Sequence, residues 1–152
     1  MIPQTTSKSP LNALQKVVVT RLKGDATLAT LLGSSPSDAR VVDQPREGMP
    51  YPYVRVGDTL STADDDLTSF GRSVVMTLHI WTKKRGTFSG QEILNRIVEL
   101  LDHQTAAVSA LLEAEGHRVV RIAAEFDQAL TDPDPEIRHH VLRFRVATAQ
   151  LS

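Results

Sequence analysis

The stretch RSVVMTLHIWT, residues 72–82, keeps a two-residue period throughout and leaves neither face plainly polar. Val74, Met76, Leu78 and Ile80 point one way, while Val75, Thr77, His79 and Trp81 point the other. Strict alternation is the pattern of a β-strand. A strand with apolar groups on both sides belongs inside a sheet, with something covering each face. Any fold for this chain must therefore be built around residues 72–82.

Partners for that strand are visible on either side of it. In YVRVGDTL, Val54 and Val56 share a face, and RVV at residues 40–42 forms a short strand. Pro45, Pro50 and Pro52 bar DQPREGMPYP from a central strand. Two further strands, HRVVRIAAEFDQAL and IRHHVLRFRVATA, are joined by TDPDPE and turn near Asp134. Alternation places Val120, Ile122, Ala124 and Phe126 on one face of the first, opposite Arg121, Glu125 and Asp127. It places Leu142, Phe144 and Val146 on one face of the second, opposite His139, Arg143 and Arg145. In register, Glu125 and Asp127 lie near Arg143 and Arg145, so the arginines read as paired charges on an outer face. His140 reads as a partly buried strand histidine.

Helical spacing supplies the cover. Ser9 caps and Pro10 opens a helix carrying Leu11, Leu14, Val18 and Leu22, which Gly24 ends. Asp25 caps ATLATLL, which Gly33 stops, and a loop follows around Pro36. Ser89 and Glu92 have capping-box spacing before a helix with the stripe Ile93, Leu94, Ile97, Leu100 and Leu101. AAVSALL adds a turn or two before Gly116. STADDDLTSF, residues 61–70, is expected to be an extended loop that touches a neighbouring molecule. The fold class is α+β: a mostly antiparallel sheet of about four to five strands, with an N-terminal helix and one long helix packed on it. Residues 1–8 are a flexible tail, and residues 9–152 form a single domain.

The chemistry expected is sparse. A chain of 152 residues with net charge −1 lacks the basic excess of a nucleic-acid coat. It has no cysteine, so disulfides and thiolate chemistry are excluded. MIPQTTSKSP is too polar for a signal peptide or membrane anchor. His139 and His140 are neighbours on a strand and face opposite ways, so they cannot chelate one ion. His79, His103 and His117 lack helical zinc spacing, and Asp64–Asp65–Asp66 lacks the alternation of a calcium loop. No phosphate-binding glycine loop or serine elbow is present. No catalytic, cofactor or metal residue is assigned, and the chain reads as a protein that is not an enzyme.

The order of these segments is itself informative. LNALQKVVVTRLKGDATLATLLG precedes RVVDQPREGMPYPYVRVGD, then VVMTLHIWTKKRG, QEILNRIVELLD and the closing strand pair ending RHHVLRFRV. From Leu11 to Val146 this order resembles the tail completion proteins of long-tailed bacteriophages and phage-like particles. The resemblance implies a structural virion protein, a tail terminator that forms a hexameric ring at the head-proximal end of the tail tube. Implied partners are other copies of the chain, the major tail tube protein and the head–tail connector or neck proteins. DNA would be passing cargo only, and no membrane is involved. The protein would sit in the tail of the particle, and in host cytoplasm during assembly. A head-side neck adaptor is the nearest alternative, and a nucleic-acid-binding module is an alternative of another class. A rotational ring joins unlike surfaces. One side is expected on the outer sheet face around Val75, Trp81, Arg143 and Arg145, and the other at Asp64, Asp65 and Asp66.

Overall fold

The strand with two apolar faces lies at the middle of the sheet. In a computed structural model describing residues 6–33, 40–84 and 86–151, five strands lie in the order β1-β2-β3-β5-β4. They are β1 (Val41–Val42), β2 (Tyr53–Ala63), β3 (Gly71–Thr82), β4 (His117–Thr131) and β5 (Arg138–Gln150). Four helices accompany them: α1 (Leu11–Lys23), α2 (Ala26–Leu31), α3 (Phe88–Leu101) and α4 (Thr105–Leu112). All strand neighbours are antiparallel except β1, which runs parallel to β2, so the sheet is mixed. Residues 1–5 of the expected tail and the loop around Pro36 lie outside the described residues. Ser7 accepts hydrogen bonds from Arg72, and the Lys8 amide donates to Gln150.

The helices bury one face of the sheet. Val54, Val56, Val74, Met76, Leu78, Ile80, Leu142, Phe144 and Val146 meet Leu14, Val18 and Leu22 of α1 and Ile93, Leu94, Ile97 and Leu101 of α3 in one core. Asp25 caps α2 as expected, its Oδ2 accepting from the Leu28 amide at 2.8 Å. The same carboxylate takes Arg96 of α3 through two bonds, at 2.7 and 2.9 Å, which ties α2 to α3. That guanidinium holds the Asp25 carboxyl below its ordinary pKa.

Several expectations shift. The chain enters α1 through Pro10, and the Ser9 hydroxyl accepts only a long 3.4 Å bond from the Leu11 amide. Ser89 and Glu92 form no capping box: α3 begins at Phe88, so Ser89 is already inside the helix. The loop expected over residues 61–70 is shorter, because Ser61, Thr62 and Ala63 continue β2 and pair with Val74, Ser73 and Arg72. Val120 and Phe126 are not core residues; they are 53% and 40% exposed. Two bulges in β4 explain this, one between Val119 and Arg121 and one between Ala124 and Phe126. Each bulge inserts one residue and flips the side chains that follow. The core positions therefore run Val119, then Ile122, and Phe126 returns to the outer face.

His140 is completely buried under the first turn of α3. A Cβ on Gly90 would lie 2.3 Å from its ring, so glycine is needed there for close approach and not for backbone freedom. Gly90→Ala should cost about 1–3 kcal/mol by overpacking. Added to His140→Ala it should cost much less, since the ring it strikes is gone. Phe144→Ala, at a position 1% exposed, should cost about 3–5 kcal/mol. Denaturant midpoints of the four variants test this packing, and strict additivity of the Gly90 and His140 changes would contradict it.

Candidate functional site

The face of the sheet opposite the core carries the residues singled out for assembly. Strand pairing sets them in rows across β2, β3, β5 and β4. Trp81 lies between Tyr53 and His139, His79 between Arg55 and Val141, and Val75 between Leu60 and Arg145. Val75, Trp81, Arg143 and Arg145 thus share one surface. Leu60, 63% exposed, and Phe126 add apolar area to it.

Charge on this face is organised by one carboxylate. Glu125, the extra residue of the second bulge, meets Arg143 at 3.0 Å and Arg145 at 2.9 Å. The Arg145 hydrogen bond and both positive charges hold its pKa below the ordinary carboxylate value. Asp127, expected to share the arginines, does not: the bulge turns it away, opposite the core residue Leu142. Arg143 also lies over the Phe126 ring, 5.0 Å from its centroid, a cation–π contact.

A second cluster was not foreseen. The His139 ring stacks on Trp81 at 3.8 Å between centroids, and its Nε2 is 2.7 Å from Nδ1 of His79. One nitrogen of that pair must donate and the other accept. Gly57 makes room for it, since a Cβ there would sit 2.6 Å from the His79 ring. Alternation already put Trp81, His79 and His139 on outer faces. Only the register of β3 with β5 brings them together.

The acidic residues are part of the β2–β3 turn. Asp65 Oδ1 accepts from the Gly71 amide at 3.0 Å. Asp66 Oδ1 accepts from the amides and hydroxyls of Thr68 and Ser69, which holds its pKa below the ordinary value. Among the described residues, no ion pair joins Asp64, Asp65 or Asp66 to Arg143 or Arg145 within the chain. A separate cleft of about 590 Å³ lies where α2 and α3 approach the end of β3, lined by Leu31, Tyr51, Thr82, Lys84 and Phe88 among others. Among the described residues there is no group of three or more histidine, aspartate or glutamate side chains placed to hold a metal ion. No described helix is long and apolar enough to cross a membrane.

With this geometry in view, the comparisons with known proteins bear on the whole domain. Residues 16–149 match the family model described as tail completion protein gp17. The chain belongs to this family. It is a phage tail structural protein, as the resemblance in its segment order implied. A relative named tail completion protein gp17, from Bacillus phage SPP1, is 29% identical over 140 residues, covering 92% of this chain and 95% of the relative. A solved chain from the virion of a native gene transfer agent particle superposes with a TM-score of 0.78. That match covers 94% of this chain and 99% of the other at 22% identity, and it attests the fold.

The histidine cluster gives the face a pH dependence. Burial, then the charge of Arg55, holds His79 below its ordinary pKa. Burial, then the neighbouring His79, pulls His139 down to about 4. The unfolded chain binds the His139 proton near its ordinary value of about 6.5, whereas the fold resists it until about 4, and His79 is shifted in the same direction. The contribution of His139 to stability is therefore full above about pH 6.5 and lost as the pH falls toward 4. His139→Gln should flatten this acid limb. Melting temperatures of both proteins across that range provide the measurement, and parallel curves would contradict the assignment.

Proposed function

We propose that the protein is a tail terminator: a closed ring at the head-proximal end of the tail tube that ends tube polymerisation and presents a surface to neck proteins. The observation that carries this reading is the family match across nearly the whole chain, together with a relative of almost the same length that is named a tail completion protein. The open outer face of the sheet supports it, because exposed Leu60 and Phe126 beside Val75 and Trp81 suit a subunit contact. Val75, Trp81, Arg143 and Arg145 form one side of that contact, and the turn at Asp64, Asp65 and Asp66 lies on the other. Each guanidinium keeps donors beyond those used on Glu125. Net charge −1 suits a channel through which DNA slides without sticking. The role proposed is structural, in keeping with the tail completion family to which the chain belongs.

Electron microscopy of the purified protein, alone and mixed with tail tubes, tests the reading. Six-fold rings on one end of each tube, with tube length no longer increasing, are expected. Rings found only on the portal side of tail-less heads would identify a neck adaptor instead. Retention on DNA that falls steeply with salt would point to a nucleic-acid-binding module.

A further inference from the structure

An exposed sheet edge is a template for another strand, and proteins usually cover it. The two edges of this sheet are treated unequally. Along the first half of β4 the outward main-chain groups are taken. Ser109 Oγ accepts from the Val119 amide at 3.0 Å, the His103 amide donates to the Ile122 carbonyl at 2.9 Å, and Asp102 accepts from the Ala124 amide at 2.8 Å. From Asp127 to Thr131, among the described residues, no such cover exists. This uncovered half is also the root of an acidic hairpin bearing Asp127, Asp132, Asp134 and Glu136.

At the opposite edge, β1 pairs with β2 on one side only. Its open side lines a groove of about 430 Å³ whose far wall is α1, with Lys16, Val19 and Lys23. Lys16 reaches Glu115 but keeps a 69% exposed side chain. Asp43, also in the groove, is engaged by the Gln44 amide and the Gln15 side chain.

Strand rows show that the two strips match. Val41 shares a row with Val54, Ile80, His140 and Ala129, and Val42 shares one with Arg55, His79, Val141 and Gln128. The open strip of β4 and the open edge of β1 therefore lie at the same level on opposite edges. They also run in opposite directions. A rotation that repeats the subunit side by side sets β4 of one copy antiparallel to β1 of the next, the arrangement that continues a sheet.

We infer that the β4–β5 hairpin of one copy docks along β1 of the next, with its acids facing the α1 lysines in the groove. This rests on the ring reading and names a contact within it. The occupant is a second copy of this chain, because the matching level, strand direction and charge are all supplied by the chain itself.

The chain has no cysteine, which allows a clean test. Val42→Cys and Gln128→Cys are introduced together, and tails assembled with this variant are oxidised. Within one chain the two sites are four strand spacings apart, about 19 Å, too far for a disulfide. A ladder of cross-linked multimers of this chain is the expected result. Asp127→Lys with Glu136→Lys should abolish rings, Lys16→Glu with Lys23→Glu should do the same, and combining all four should restore them. Unchanged melting curves would show that the charge variants still fold. Rings that form while the cysteine variant stays monomeric would overturn the docking and leave the ring reading intact. A disulfide-free variant seen as single copies on tube ends would overturn both. Cross-links to a different tail or neck protein would overturn the choice of occupant.

Discussion

Everything else in this fold is hung on the unbroken ladder between β3 and β5. The two strands pair residue for residue from Gly71 with Ala149 to Thr82 with Arg138, with no bulge along the way. Because the side-chain period is two, an uninterrupted ladder keeps each face single-purpose over its length. Val74, Met76, Leu78, Ile80, Leu142, Phe144 and Val146 therefore present a continuous floor to the helices. The reverse side carries Val75, Trp81, His139, Arg143 and Arg145 without one of them slipping inward. Core and outer face are two sides of the same register.

That dependence explains which parts of the structure were legible in the sequence. β3, β5 and the stripe of α3 are regular, so periodicity alone assigned their faces. The four core positions of β3 and Leu142, Phe144 and Val146 of β5 are all buried. β4 is irregular, and nothing in HRVVRIAAEFDQAL marks where a residue is added. Val120 and Phe126 were placed on the same face as Ile122 by a period that the strand abandons twice. Ser61 and Thr62 looked like loop because they lead into the polar, acidic run that follows, yet pairing with β3 carries β2 through them. The α3 start was misplaced because the Ser89 to Glu92 spacing imitates a capping box two residues too late.

The outer face proposed for assembly was legible in part. Its members on β3 and β5 followed from alternation, and the pairing of Glu125 with both arginines followed from the hairpin. Contacts that depend on which rows meet did not. The His79–His139 bond needs the β3–β5 register, and the clearance over Gly57 needs β2 as well. The expected interface has one acid fewer on its arginines and more aromatic character than the sequence suggested. The acidic turn proposed as its counterpart is tied, with the Asp65 and Asp66 carboxylates shaping the backbone as well as carrying charge.

The two long hairpins leave the sheet at opposite ends. The β2–β3 turn follows Ala63, beside the row of Gly71 and Ala149, and the β4–β5 turn follows Thr131, beside the row of Thr82 and Arg138. A force applied between the two turns thus runs along the strands. Under such a load the twelve β3–β5 pairs are strained together and must fail as a group, whereas a pull across the strands would open them one at a time. A chain held by its two hairpins is stiffest along its strands, the direction in which neighbours in the proposed ring would pull on it.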